Sequence, residues 1–414
     1  MLSFVKSFII AAYYGTSAEL DAYFLALAPF NLILGIAAGA IQAALIPKYS
    51  ELSIKQGKQY AFSFLATFLM YIIGGVIMII GIFWWKSFFL ASQFGTRFSD
   101  QQVTLMASFL KMTTLLLVFA VFNTIGSALF NAHQKFLLSA SLPLAGGILS
   151  VGYIIFFRDQ GVVSLMYGLL IGLAAQSCLM GGIAQRFFSD CSLTFFSLRH
   201  PEIRKTGKIL SPLILGGMLG HANIIIDQMM ASMLPAGSIS ALQYASRLHS
   251  VFTQMFVMVV SNAALPFFAQ QVAQNDLHAL KATFFQVAKR TLLFLLPLSL
   301  GILLFGNMFV KLAFQRGAFS VHSTLATAGA WKAYTLGLPV MAVGILATKI
   351  FNSLQENTIL MYISAGNIVL NIGLNWLFMS WWGHIGIALS TTGVYCVATG
   401  MVLYLLHKKI DLFA

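Results

Sequence analysis

Long apolar runs alternate with short polar stretches along the whole chain, and the runs have the length of membrane spans. About 20 apolar residues are enough for a helix to cross the hydrocarbon core. The pattern predicts about twelve spans, at roughly 1–15, 21–46, 60–85, 103–130, 136–157, 161–185, 209–233, 239–265, 285–308, 323–352, 358–382 and 384–406. One stretch organises the rest. Tyr23 to Pro47, YFLALAPFNLILGIAAGAIQAALIP, is an aromatic-led run that ends in small residues and a proline. It returns at Tyr244 to Pro266, YASRLHSVFTQMFVMVVSNAALP. The two tyrosines are 221 positions apart, and the prolines 219, so a small indel lies inside the pair. The 221 offset also carries Phe98-Ser99 onto Phe319-Ser320, Lys111 onto Lys332, Thr114 onto Thr335 and Phe130-Asn131 onto Phe351-Asn352. Several matches in one register argue for an internal duplication. Six spans separate equivalent positions, and six is even, so the halves run parallel about an axis along the membrane normal. The expected fold is therefore an all-α polytopic membrane protein, with two parallel six-helix lobes around a central cavity. The first lobe is 1–188, a cytoplasmic linker 189–207, and the second lobe 208–414.

Composition agrees. The 414 residues are 59% hydrophobic and only 8% charged, with mean hydropathy +0.87, whereas a soluble domain carries about 25% charged residues. The net charge of +13 therefore reads first as a topology signal. With the N-terminus inside, the even loops and the C-terminal tail hold fourteen Lys and Arg residues, among them Lys48, Lys135, Arg204, Lys205, Lys281, Arg290 and Lys409, against five in the odd loops (Lys86, Arg97, Arg158, Lys311, Arg316). That places both termini in the cytoplasm. No dense basic stripe suggests nucleic acid as a partner, and the three cysteines lack metal or redox spacing. The first span is short and starts at Met1 without the basic region or cleavage site of a signal peptide. It reads as a helix that has lost its N-terminal turns, as an upstream start or a shortened sequence would leave it.

Charges within spans are expensive, so each is a functional hypothesis with a bland rival. Lys6 lies within the first span, where it could meet an anionic ligand or snorkel to the surface. Asp21 opens the second span as a helix cap or as part of a gate. Asp227, in HANIIIDQMMASML, has no cap role in mid-span, so it pairs with a cation or binds one. Arg247, in QYASRLHSVF, can grip a phosphate with two hydrogen bonds, or pair with Asp227. Lys111 and Lys332 recur by the repeat, as gate or ion-pair residues or as interfacial anchors. Lys349 reads as an anchor. Asn367, Asn371 and Asn375 are four apart and share a helix face. Their carbonyls, with Asp227 and Thr391 from the following span, could surround a monovalent cation; the alternative is hydrogen bonding between helices. Among enzyme signatures, GxSxG, HExxH and the P-loop are all missing. The chain is expected to be a transporter rather than an enzyme, with no metal or organic cofactor.

Two stretches resemble a known family. FVKSFIIAAYYGTSAELDAYFLALAPFNLI and IIIDQMMASMLPAGSISALQYASRL are similar to the first two helices and the span seven to eight signature of the MviN/MurJ lipid II flippases. These belong to the multidrug/oligosaccharidyl-lipid/polysaccharide (MOP) superfamily. The turn QRGAFS and the segment around Lys349 match as well. The resemblance implies alternating access and a polyprenyl-diphosphate-linked glycan as substrate, in a bacterial cytoplasmic membrane and among membrane lipid. By position, Lys6 stands for a cavity arginine, Arg247 matches another, and Asp21 matches the aspartate opening the second helix. Asp227, Asn371 and Thr391 resemble positions proposed to bind sodium in some members, and Asn375 stands where an acid is expected. Ile33 stands where a second-helix arginine is usual, and members commonly have fourteen helices. A sodium ion or the membrane potential is the implied source of bias, and a monomer suffices. The rival readings are an O-antigen or exopolysaccharide flippase of the same superfamily, a drug/sodium antiporter, an inactive envelope-assembly paralogue and, among enzymes, an integral glycosyltransferase.

Overall fold

The computed structural model describes residues 2–188 and 200–412. Most of the expected linker, with Cys191 and Arg199, lies outside the described residues. The chain is helical throughout: α1 Leu2–Tyr14, α2 Ala18–Lys55, α3 Lys58–Phe94, α4 Asp100–Ala132, α5 Phe136–Phe156, α6 Val163–Phe188, α7 Pro201–Ala231, α8 Ser238–Ala273, α9 Leu277–Phe314 and α10 Val321–Ser353. A further run, Asn357–Ile410, is broken at Gly383 (φ 55, ψ −133) into α11 (357–382) and α12 (384–410). Only a residue without Cβ takes that backbone conformation readily. Every predicted span falls on one of these helices. Among the described residues nine helical runs are long and apolar enough to cross a membrane, with Asn357–Ile410 counted once.

The helix ends differ from expectation. Pro47 and Pro266 do not end their helices; α2 continues to Lys55 and α8 to Ala273. Proline removes one N–H and frees one carbonyl, and membrane helices absorb that loss where neighbours or local adjustments satisfy the backbone. Upstream of Pro266, Thr253–Met258 of α8 opens into a wider π turn. Asp21 is not a cap either. Helix α2 starts at Ala18, so Asp21 sits in the first turn, 2% exposed, where a negative charge faces the positive end of the helix dipole.

Packing divides the chain into two units, Met1–Lys6 with Ala18–Ile225, and Ser7–Ser17 with Ile226–Ala414. In the first unit α4 is the hub and packs against α2, α3, α5 and α6. In the second the hub is α10, which packs against α8, α9 and the α11–α12 run. These two hubs are repeat mates, and the 221 register returns in their details. Ser99 caps α4 by accepting from Gln102 N–H, and Ser320 caps α10 by accepting from Ser323 N–H. At their far ends Gln134 (φ 60) and Gln355 (φ 59) take the same left-handed conformation. Tyr23 and Tyr244 are both buried. The duplication is thus written in caps and turns as well as in apolar faces. Outward-facing large side chains such as Trp85, Phe156, Leu293 and Val369 are exposed, as lipid-contacting surfaces require.

The second half of α1 is fixed within the second unit. Ala318 N–H donates to Ala12 O (2.8 Å), Tyr244 Oη to Gly15 O (3.1 Å), and the Thr16 and Ser323 hydroxyls lie 2.7 Å apart. The QRGAFS turn makes this contact. At Gly317 (φ 58) a Cβ would stand 2.2 Å from Ala12 O. In the first unit the start of α7 is held by charge. Glu202 meets Lys48 of α2 at 2.5 Å and Lys205 at 2.8 Å, and the His200 ring packs at a tilt against Tyr60, with centroids 4.7 Å apart.

Two outcomes follow from these contacts. Gly317→Ala should lower the thermal stability of purified protein by roughly 1–3 kcal/mol, since it combines backbone strain with a backbone clash. The second concerns pH. Hydrogen bonds from Lys205 and then Lys48 hold the Glu202 carboxyl at about 2, below its ordinary 4.5. A lowered carboxylate stabilises fully above 4.5, and that contribution is lost as pH falls through about 2. The melting temperature should therefore fall across that window, and Glu202→Gln should remove the part of the slope that responds to salt.

Candidate functional site

The second unit gathers the polar residues that the sequence scattered over three spans. Asp227 on α7 is partly buried, and Asn371 and Asn375 on α11 are 1% and 0% exposed. Asn375 Nδ2 donates to Asp227 Oδ1 at 2.7 Å and reaches Asn371 Oδ1 at 3.3 Å. Thr391 on α12 reaches Asp227 Oδ2 at 3.5 Å. The Ser390 hydroxyl donates to Asn375 Oδ1 and also lies 2.9 Å from Ile387 O. The four-residue spacing on α11 explains why two asparagines act together. The sharp break at Gly383 explains α12, because it folds Ser390 and Thr391 back alongside them. Sequence reasoning missed Ser390; its signal was its place beside Thr391 in the run STTG.

Arg247 and Asp227 make no salt bridge among the described residues, so the pairing reading does not hold. Arg247 lies exposed on α8 with buried neighbours Tyr244, Ala245 and Leu248. Lys332 lays its aliphatic stem across Gly306 of α9, with Cε 3.1 Å from where a Cβ would be. Lys111, its repeat mate, is exposed on α4. Neither forms a salt bridge among the described residues. Lys349 donates to Asn262 Oδ1 of α8 at 2.9 Å, which ties α10 to α8.

The first unit holds a second polar site. Lys6 Nζ donates to Ser150 Oγ of α5 at 3.0 Å. Both line a cavity of about 360 Å³ between α5 and α6, with Gly146, Gly147, Gly172 and Gln176. Gly146 and Gly172 face each other and let α5 and α6 pack closely, and an ammonium beside a hydroxyl is a donor set for an anion. Ser150 and Gln176 carried no warning in the sequence, because the contact joins residues 144 positions apart.

These features define a polytopic membrane transporter with polar side chains held inside its spans. Comparison with known proteins agrees. A solved inward-facing MATE multidrug transporter of the MOP superfamily superposes with TM-score 0.82 at 14% identity, over 99% of this chain and 95% of that one. A solved structure of lipid II flippase MurJ in an inward closed conformation gives TM-score 0.83 at 24% identity, over 98% and 85%. The fold is thus the MOP fold. The family profile for lipid II flippase MurJ matches residues 10–414, and the chain belongs to that family. Relatives include a probable lipid II flippase MurJ of Thermotoga maritima, 27% identical over 98% of this chain and 81% of that protein. Lipid II flippase MurJ of Burkholderia cenocepacia is 25% identical over 97% and 79%. The chain is accordingly a multi-pass protein of the bacterial inner membrane.

Ser390→Ala tests the cluster. It leaves the buried Asn375 carbonyl without its hydroxyl donor and should cost about 1–3 kcal/mol, read as a lower melting temperature. A Ser390→Thr protein, which keeps the hydroxyl, should recover most of that loss.

Proposed function

We propose that this protein carries lipid II, a polyprenyl-diphosphate-linked glycopeptide, from the cytoplasmic to the outer leaflet by alternating access. The observation that carries the reading is Lys6, a cation seated in a glycine-lined cavity within the membrane, in a chain of the lipid II flippase family. A diphosphate brings negative charge that hydrocarbon cannot solvate, so it must meet fixed cations and donors. Lys6 with Ser150 supplies one such set. Arg247 supplies another, with a guanidinium that can hold two phosphate oxygens at once. The isoprenoid tail stays in lipid throughout, which confines the polar work to the head group.

The orientation is part of the same proposal. Both termini lie in the cytoplasm, which the excess of Lys and Arg in even loops supports. With that topology the substrate enters from the leaflet where it is made, and the negative-inside membrane potential favours export of the anionic head group. The same topology puts the start of α7, with Glu202, Lys48 and Lys205, on the inner face.

Complementation tests the reading. The chain is expressed in a bacterium depleted of its own lipid II flippase, and lipid II exposed on the outer face is assayed. The expected result is growth and exposure with the wild-type chain, and at least a tenfold loss with Lys6→Ala or Arg247→Ala, the order expected when a charge-assisted contact is removed. Membrane-inserted protein that restores neither would count against lipid II as the substrate.

A further inference from the structure

The resemblance implies a sodium ion at Asp227, and the donor set does not fit one. A cation needs oxygens turned inward from every side. Here Asn375 turns its Nδ2 toward Asp227 Oδ1 (2.7 Å) and Asn371 Oδ1 (3.3 Å), so an N–H donor stands between the two oxygens that would ligate the ion. We propose that in this chain the amide of Asn375 takes the cation's place, so that the Asp227 cluster binds no sodium.

The chemistry of the position supports this. An acid at 375 would place two carboxylates in one site within the membrane, and only a cation or a proton could hold them together. An amide removes that need, because one side chain offers both a donor and an acceptor. Its orientation is set by its neighbours. The Nδ2 faces a carboxylate and an amide carbonyl, and the Oδ1 accepts from Ser390. The opposite orientation would bring a carbonyl oxygen against the Asp227 carboxylate, and only a cation or a proton could then relieve the repulsion. The remaining carboxylate oxygen of Asp227 is reached by the Thr391 hydroxyl. Asp227 Oδ1 is thus hydrogen-bonded by the protein itself, and the Thr391 hydroxyl, which also lies 3.2 Å from Ile387 O, stands 3.5 Å from Oδ2.

The test needs no substrate, so it stands or falls apart from the lipid II reading. Purified protein is melted in NaCl, KCl and choline chloride at equal ionic strength. The expected result is one melting temperature in all three salts for the wild type. Asn375→Asp should gain a saturable, sodium-specific rise of a few degrees, because a ligand that binds only the folded state stabilises it in proportion to its occupancy. A saturable sodium-specific rise in the wild type, lost in Asp227→Asn, overturns the proposal. So does an Asn375→Asp protein that folds and still ignores sodium, since the amide would then not be what excludes the ion. Should Asn375→Asp fail to fold, binding of radiolabelled sodium to the wild type decides alone: no saturable binding upholds the proposal and saturable binding ends it.

Discussion

Hydrocarbon offers no hydrogen-bond partner, so every polar group inside the bilayer must find one within the protein. That constraint accounts for much of the polar interior of this chain, with exceptions that include both ring nitrogens of His249, the Trp331 indole N–H and the Ser299 and Thr327 hydroxyls, which are buried without a hydrogen-bond partner among the described residues. Asp227 is partnered by Asn375 and Thr391, and Asn375 by Asn371 and Ser390. Asn123 donates to the Leu173 carbonyl and accepts from Ser177. Thr114 accepts from Trp84, and Lys6 donates to Ser150. Some buried Thr and Ser hydroxyls turn back on their own helices, as Thr335 does on Trp331 O and Ser261 on Val257 O. The bonds between helices join spans within a unit, and a helix that moved within its unit would break them.

The duplication gives the same constraint twice. Each unit is built on one long central helix, α4 or α10, capped by a serine and closed by a left-handed glutamine 221 positions from its mate. The two halves have since diverged where chemistry matters. The first unit carries a cation in a glycine-lined cavity. The second carries a carboxylate bound in an amide and hydroxyl cluster. Lys111 and Lys332 diverged in their surroundings as well, one exposed on α4 and the other laid along Gly306.

Much of this was legible in the sequence, for physical reasons that differ by residue. Span positions were legible because apolar length alone sets them. The Asp227 cluster was legible in part, because a four-residue spacing fixes a shared helix face wherever the helix lies. Helix ends were not legible: Pro47 and Pro266 stop a helix in water, and here helices run through them. Contacts between distant residues left no local trace. Nothing near Lys48 signals Glu202, and nothing near Lys6 signals Ser150. The glycine in QRGAFS could be read as a turn, but not that its turn would grip the carbonyl of Ala12.

The two polar sites are short of charge in the same sense. Where an arginine would give five fixed donors, Lys6 gives three rotatable ones on a flexible stem. Where a second acid would demand an ion, Asn375 supplies its own donor. Fewer fixed charges mean a weaker hold on an anion, and they also mean less charge to desolvate. A transporter must release what it binds, so a looser site can be matched to faster release. In this chain the balance rests on neutral groups, Ser150 and Gln176 beside Lys6, and Asn375, Ser390 and Thr391 beside Asp227. Those groups hold geometry by hydrogen bonds that neither salt nor the membrane potential alters much.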